Sequence, residues 1–301
     1  MILIDFSQVA ISNLHQLLKQ NKNSHNRHFN SDTGEEEFED SNEVNANLLR
    51  HMILNSIRRI NNTYRQKYGD LVICTDNINY WRKQIFPYYK ANRKKDRIAS
   101  DIDWTKVFEI LDQLRGEIRE NFPYKVVNVH NAEADDVIAV ITKHFHNEEV
   151  ILIVSGDKDF QQLQVYPNVY QYGPIQDKFL SPEDPKKFLF EHIVNGDKND
   201  GVPNMLSADD CLVNGVRQTS VYQAKVDVWY TQLPEEFCKD EQPLKNYFRN
   251  KKLVDLSEIP VEIEQAILEE FAKPVVGARD MIYGYLVKMR MRNLLTSVRE
   301  F

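Results

Sequence analysis

Four short apolar runs mark the first half of the chain: 2–6 (ILIDF), 71–76 (LVICTD), 125–129 (KVVNV) and 150–154 (VILIV). Runs this short, rich in Val and Ile and bounded by polar residues, predict buried strands. Residues 44–68, 104–121 and 134–145 lie between them and predict helices. In the first of these, Leu48, Leu49, Met52, Ile53, Ser56, Ile57 and Ile60 recur at a spacing of three to four. Strand and helix in alternation predict an α/β fold, a mostly parallel central sheet flanked by helices. Ligands of such sheets sit beyond the carboxyl ends of the strands. Asp5, Asp76 and Asp157 all fall at or just past those ends.

The texture changes near Pro182, where strand-like runs stop. Residues 261–271 and 279–298 predict helices, the second with Met281, Ile282, Tyr285, Leu286 and Met289 on one side. The expected division is an α/β unit over 1–181 and a helical unit over 182–301. No Gly/Ser linker separates them, so the two are expected to pack together. Residues 21–43 are a low-complexity stretch too poor in aliphatic side chains to order itself, and are expected to form a mobile surface loop. A negative loop of this kind could also mimic phosphate in a basic groove.

Composition narrows the class. The 301 residues are 42% hydrophobic and 28% charged, enough for a real core. No apolar run approaches the ~18–20 residues of a membrane span. The opening MILIDFSQVA carries Asp5 and no basic lead, unlike a secretory signal. Cys74, Cys211 and Cys238 are too few and too scattered for a disulfide framework or a zinc site. A cytoplasmic, membrane-free setting is expected. The net charge of −7 argues at first against a nucleic-acid partner. Seven acids between Asp32 and Glu43, with the nine considered next, account for that excess and leave the rest of the chain basic.

Those nine acids are Asp5, Asp76, Glu133, Asp135, Asp136, Asp157, Asp159, Asp197 and Asp200. Singly, each has a plainer explanation as a helix cap or a turn residue. Together they crowd one edge of one sheet, where unpaired carboxylates repel and raise one another's pKa. No matching set of Lys or Arg lies inside their motifs, so divalent cations are the natural neutraliser. All-oxygen ligands without His or Cys select Mg²⁺ or Mn²⁺ over zinc. Carboxylate-held pairs of such ions serve phosphate chemistry.

Residues 80–97 (YWRKQIFPYYKANRKKDR) carry the opposite charge. Arg82, Lys83, Lys90, Arg93, Lys94, Lys95 and Arg97 alternate with Tyr80, Trp81, Phe86, Tyr88 and Tyr89. Basic groups bind phosphates and aromatic faces stack unpaired bases. The segment follows Asp76, so it starts at the rim of the acidic edge. An acidic centre beside a basic, aromatic segment predicts a nuclease. Residues 83–100 are expected to be poorly ordered without nucleic acid.

The motifs resemble the flap endonuclease or 5′-nuclease family, and within it the T-even-type phage ribonuclease H. The resemblance rests on ILIDFS at 2–7, YWRKQIFPYYKANRK at 80–94, EADD at 133–136, SGDKDFQQL at 155–163, GDKND at 196–200, RNKKLVDLSEIP at 249–260 and YGYLVKMRMRNLLTSVREF at the end. It implies a PIN-like nuclease domain with a helical arch at about 80–100, then a helical DNA-binding domain containing a helix–three-turn–helix-like element. It implies a two-metal (Mg²⁺, with Mn²⁺ as substitute) 5′-3′ exonuclease, ribonuclease H and flap endonuclease. Such an enzyme removes RNA primers in phage lagging-strand DNA replication. By the same resemblance Asp5, Asp76, Glu133, Asp135 and Asp157 surround the first metal. Asp159, Asp197 and Asp200 lie on the second-metal side, with Asp136 between. Arg82, Lys90 and Arg93 take catalytic positions near the scissile phosphate. Arg82, Lys83, Tyr89, Lys90, Arg93, Lys94, Lys95, Gly201 and Val202 form the nucleic-acid contact. The implied partners of a monomeric chain are RNA–DNA hybrids and branched or flapped duplex DNA, with a single-strand-binding protein and a sliding clamp as candidates for the tail.

Two features depart from the family pattern. The segment after Asp200 keeps Gly201-Val202-Pro203 but lacks the second Gly-x-Gly, and the acidic insert at 21–43 has no counterpart. Two other functions compete. A non-catalytic binder of DNA forks would be expected to have lost acids, and all nine are present. A single-domain ribonuclease of single-stranded RNA would lack the 196–200 element and the helical tail.

Overall fold

The computed structural model describes residues 1–23, 28–29, 36–37 and 44–301. Six strands form one sheet: β1 (Ile2–Asp5), β4 (Leu71–Cys74), β5 (Lys125–Val127), β6 (Ile151–Val154), β7 (Val169–Gly173) and β8 (Lys178–Leu180). Their order is β5-β4-β1-β6-β7-β8. All neighbouring pairs are parallel except β7 with β8. β1, β4 and β6 are buried at every position, as strands covered on both faces must be. β7 and β8 were not expected from the sequence, because only alternate residues of β7 are buried and β8 has just three residues.

Helices cover both faces. α1 (Phe6–Asn23), α2 (Ala46–Tyr68) and α5 (Trp104–Asn121) line one, and α6 (Ala134–Phe145) and the 3₁₀ segment Lys158–Val165 line the other. α1 continues directly from β1 and takes Asn21–Asn23 out of the expected loop. Two short strands, β2 (His28–Phe29) and β3 (Glu36–Glu37), pair antiparallel. The rest of the expected loop lies outside the described residues.

Beyond residue 181 the described structure is helical: α7 (Pro185–Asn195), α8 (Gln223–Trp229), α9 (Pro234–Phe237), α10 (Glu241–Val254), α11 (Val261–Ala272), α12 (Arg279–Lys288) and α13 (Arg292–Leu295). Two groups can be distinguished. Ile193, Val194, Met205, Val226, Phe237 and Tyr247 form a core of their own. Ile263 and Ile267 of α11 instead complete the core under α6, and Ile282, Leu286, Leu294 and Phe301 complete the core on the opposite face. The single helix expected over 279–298 is broken at Arg290, whose left-handed backbone (φ +57°) turns the chain. The break lets Met291 and Leu294 bury alongside Ile282 and Leu286. Among the described residues no helix is long and apolar enough to cross a membrane.

Two short helices, α3 (Arg82–Ile85) and α4 (Ala91–Ile98), stand over the carboxyl ends of the strands. α4 buries no residue. The segment before it is not loose as expected: Trp81, Phe86 and Tyr89 are buried, and Phe86 and Tyr89 pack against Val202, Leu253 and Val254.

Candidate metal centre and nucleic-acid interface

The sheet order brings β4, β1 and β6 together, and with them the first acids. Asp5 ends β1, and Asp76 and Asp157 follow β4 and β6 by two and three residues. Neighbouring strands are ~4.8 Å apart, so the three acids crowd one short edge. Hydrogen bonds aim each one. Asp5 accepts from the Gln8 N–H (3.0 Å) and the Ser155 hydroxyl (3.0 Å). Asp76 accepts from Ser7 Oγ (2.6 Å) and from the Ala134 N–H (2.8 Å), which ties the start of α6 to the end of β4. Asp157 accepts from the Asp159 N–H (3.0 Å). Glu133 caps α6 and Asp135 lies in its first turn.

Asp197 and Asp200 come from the opposite side, in a turn after α7. That turn needs its glycines. Gly196 (φ +65°) and Gly201 (φ +74°) are left-handed, and a Cβ on Gly196 would sit 2.4 Å from the Val202 carbonyl oxygen. Asp197 then accepts from the Asn199 N–H (2.8 Å) and the Asp200 N–H (3.3 Å).

The crowding has an electrostatic signature. Burial, and then the neighbouring Asp76, push Asp5 up to about 7. Burial raises Asp135 well above the carboxylate range, with Asp157, Glu133 and Asp5 adding to it and Lys90 opposing. Asp159 is raised by burial and by Asp157, Asp197 and Asp200. Such a field stores repulsion that a bound cation relieves. Asp159 Oδ1 is buried and makes no hydrogen bond. Oxygen donors held converging in this way fit a hard divalent cation.

Contrary to the sequence expectation, part of this charge is met by protein cations. Lys90 Nζ lies 2.5 Å from Glu133 Oε1 and 3.5 Å from Asp200 Oδ2. Arg93 pairs with Asp200 at 2.5 Å. Lys158, within the SGDKD motif itself, is 3.0 Å from Asp197. Burial would raise Asp200, but Lys90 and Arg93 outweigh it and hold that carboxyl below its ordinary value. Lys90 is held in a left-handed backbone (φ +55°), and its N–H donates to the Asp200 carbonyl (2.7 Å). Non-glycine residues rarely adopt this conformation, and cases cluster at functional sites.

Five of the expected site residues, Arg82, Tyr89, Asp136, Gly201 and Val202, are buried in supporting positions. Arg82 is 2% exposed. Its Nη1 contacts Glu133 (2.9 Å) and Asp136 (2.8 Å), and its Nε donates to the Leu253 carbonyl (2.8 Å). A guanidinium enclosed in this way does not reach a phosphate. Asp136 is wholly buried; its Oδ2 accepts from Trp81 Nε1 (3.1 Å) and the Glu133 N–H (2.9 Å), and its Oδ1 is ion-paired with Arg82 (2.8 Å), so the carboxylate faces the protein. Tyr89 is no stacking platform, because its ring is buried and its hydroxyl donates toward Asp200 (3.0 Å) and Glu133 (3.2 Å). Trp81 and Phe86 are buried as well, so the run of aromatics builds the foot of the arch. Val202 packs in that foot, and Gly201 lies against the Tyr88 backbone. Lys83, Lys94 and Lys95 are exposed.

Arg82 yields a stability prediction. Replacing Arg82 with Met should destabilise the fold by about 3–5 kcal/mol, because Asp136 would be left as an uncompensated buried charge and Glu133 with Lys90 alone. Equilibrium unfolding in urea measures this, and an unchanged midpoint would show that the pairing contributes nothing.

Sequence reasoning also missed some residues. His192 of α7 is 6% exposed, and its Nε2 lies 3.3 Å from Asp159 Oδ1 and 3.4 Å from Asp197 Oδ2. Burial, with Lys158 nearby, pushes this imidazole down to about 4. Its place four residues before Gly196, on the helix leading into the last acidic pair, was the only signal. A hollow of about 670 Å³ beside the arch foot is lined by Phe86, Lys245, Arg249, Lys251 and Lys252 among others; four of these lie in motifs quoted above, but only packing brings them together, and no motif marks Lys245.

A family model for the N-terminal resolvase-like domain of 5′-3′ exonucleases matches residues 3–188, and one for the C-terminal part of T4 RNase H matches residues 185–301. The chain belongs to the 5′-3′ exonuclease family, of the T4 ribonuclease H type. It is 32% identical to the ribonuclease H of Enterobacteria phage T4, an alignment that spans 99% of this chain and 95% of that protein. A flap endonuclease Xni of Shewanella pealeana is 28% identical over 49% of this chain and 54% of its own length. The chain is therefore a nuclease, a hydrolase of the phosphodiester bond.

Solved structures share the fold of this exonuclease. A bacteriophage T5 flap endonuclease in a pseudo-enzyme–product complex with DNA and metal ions superposes with a TM-score of 0.53. It is 17% identical, with 96% of this chain and 98% of that one covered. A T5 5′-exonuclease with bound divalent metal ions (zinc) gives 0.50 at 16% identity, covering 97% and 98%.

Proposed function

We propose that this nuclease is a Mg²⁺-dependent, structure-specific 5′ nuclease. It would cut RNA–DNA hybrids and branched or flapped duplex DNA, and remove RNA primers during lagging-strand replication of a phage in the host cytoplasm. The observation that carries the reading is the convergence of eight carboxylates, from β1, β4, α6, β6 and the Gly196–Gly201 turn, beneath a basic arch. Two divalent ions there, Mg²⁺ or Mn²⁺, would supply an activated water and charge stabilisation at the leaving oxygen.

Asp5, Asp76, Glu133, Asp135 and Asp157 would hold the first ion, and Asp159, Asp197 and Asp200 the second. Asp136 is assigned instead to orienting Trp81 and Arg82. Ser7, Gln8 and Ser155 keep Asp5 and Asp76 pointed at the edge, so little reorganisation precedes binding. Lys90 and Arg93 neutralise Glu133 and Asp200. They are free to turn to an incoming phosphate once those carboxylates have another counter-ion. Lys83, Lys94 and Lys95 would grip flanking phosphates, which positions a substrate without reading its sequence. In this reading residues 1–181 cut, and residues 182–301 hold duplex through the hollow lined by Lys245, Arg249 and Lys252. That region would also dock a single-strand-binding protein or sliding clamp on a monomeric enzyme.

Cleavage of 5′- and 3′-labelled flap, nicked-duplex and RNA–DNA substrates in Mg²⁺ and in EDTA tests the proposal. Release of short products from the 5′ end, in Mg²⁺ only, is expected. Full activity in excess chelator, or cutting from 3′ ends, would overturn it.

A further inference from the structure

The second-metal side contains a nitrogen donor that an all-carboxylate centre does not need. Among the described residues, one donor atom each from Asp159, His192 and Asp197 lie within 4.8 Å of one another. The imidazole is more than nine-tenths buried, and its Nε2 makes no hydrogen bond. Asp159 Oδ1, 3.3 Å away, is equally without a hydrogen bond. A buried pair of this kind is costly unless something fills the space between. Ligands at ~2.1 Å from a divalent ion stand ~3.0–3.4 Å apart at tetrahedral or octahedral angles. The 3.3 and 3.4 Å separations from Nε2 to the two carboxylate oxygens match that spacing. Stacking on Phe188, one turn earlier in α7, holds the ring in place (centroids 5.9 Å apart, planes 17° apart). Among the described residues, Lys158 is the lysine paired with these carboxylates, 3.0 Å from Asp197, and its exposed side chain is free to swing out.

We propose that His192 is a direct nitrogen ligand of the second divalent ion, sharing it with Asp159 and Asp197. This rests on the two-metal reading above and adds a consequence for selectivity. Imidazole favours transition metals, and affinity for mixed N/O sites rises from Mn²⁺ to Co²⁺, whereas Mg²⁺ prefers oxygen alone. The second position therefore favours Mn²⁺ over Mg²⁺, while the first, all-oxygen position discriminates less.

The test is electron spin echo spectroscopy of the full chain loaded with Mn²⁺, where an imidazole bound to the ion gives a ¹⁴N modulation. The modulation is expected in the wild type and should be lost in His192→Gln and in Asp159→Asn. Titration calorimetry should show the weaker Mn²⁺ site of His192→Gln losing about tenfold or more in affinity, with Mg²⁺ affected much less. Should His192→Gln fold poorly, Asp159→Asn and the wild-type spectrum still decide. Two Mn²⁺ ions bound with no ¹⁴N modulation would overturn the imidazole ligand and leave the carboxylate centre standing. Modulation that persists in His192→Gln would overturn it too. No Mn²⁺ binding at all would remove both this inference and the two-metal reading.

Discussion

Replacing Asp135 with Asn is expected to lower single-turnover cleavage by on the order of 10³-fold while leaving substrate affinity nearly intact. Asn keeps the shape and the helix start but removes a charge aimed at the centre of the site. Removing a single preorganised electrostatic group from an active site typically costs 10²–10³-fold, and a lost metal ligand falls at the upper end. The same change should raise the thermal stability of the metal-free protein. Asp135 is held well above the ordinary carboxylate pKa by burial and by Asp157, Glu133 and Asp5, so its charge is a source of repulsion there. Sites that sacrifice stability for function behave this way. Asp200→Asn should hurt less, leaving one mode of cleavage, because Asp200 is already partly occupied by Lys90, Arg93 and Tyr89. Cleavage kinetics with thermal melts in EDTA and in Mg²⁺ separate these effects. Equal loss for Asp135→Asn and Asp200→Asn on every substrate would end the division between the two metal positions.

Lys90→Ala should slow saturated cleavage by roughly 10²-fold, whereas changing Lys94 and Lys95 together to Ala should chiefly weaken binding. Lys90 is nearly enclosed, its backbone strained, and its ammonium sits between Glu133 and Asp200. Under the proposed reading, a cation held there turns to the reacting phosphate once metal ions take over Glu133 and Asp200. Lys94 and Lys95 stand exposed on α4, which buries nothing, as a grip on flanking phosphates rather than a part of the chemistry requires. For every phosphate that the double variant no longer grips, the slope of log affinity against log salt should fall by about one unit. Single-turnover rates at saturating enzyme, with binding titrations at several salt concentrations, distinguish the two. If the double change slowed saturated cleavage as much as Lys90→Ala, the separation of chemistry from grip along this segment would be wrong.

Much of the sheet was legible because its strands are short and apolar on both faces. Runs such as VILIV can be satisfied only by burial between two helical layers, so β1, β4, β5 and β6, with α2, α5 and α6 between them, followed from pattern alone. α1 was equally legible in principle, since Val9, Ala10, Leu14, Leu17 and Leu18 are all buried on one face, but the polar stretch after it masked the signal. β7, β8 and the break at Arg290 were not legible, because each is decided by what the segment packs against.

The chain order likewise carried the acids themselves, since an Asp at the end of a buried parallel strand must emerge at that strand's carboxyl edge. It could not say which acids remain available to a ligand. Asp135 and Asp136 are adjacent in sequence, yet a helix turns successive side chains by about 100°. One faces Asp157, and the other is enclosed by Trp81 and Arg82. Nor could it say that Tyr89 and Arg82 face inward while Lys94 faces out, or that His192 lies against Asp159 from more than thirty residues away. Those are properties of long-range packing. The same aromatic and basic residue types serve equally well as a buried foot or as an exposed grip, and only the neighbours that α7, α10 and the Gly196–Gly201 turn bring to them decide which.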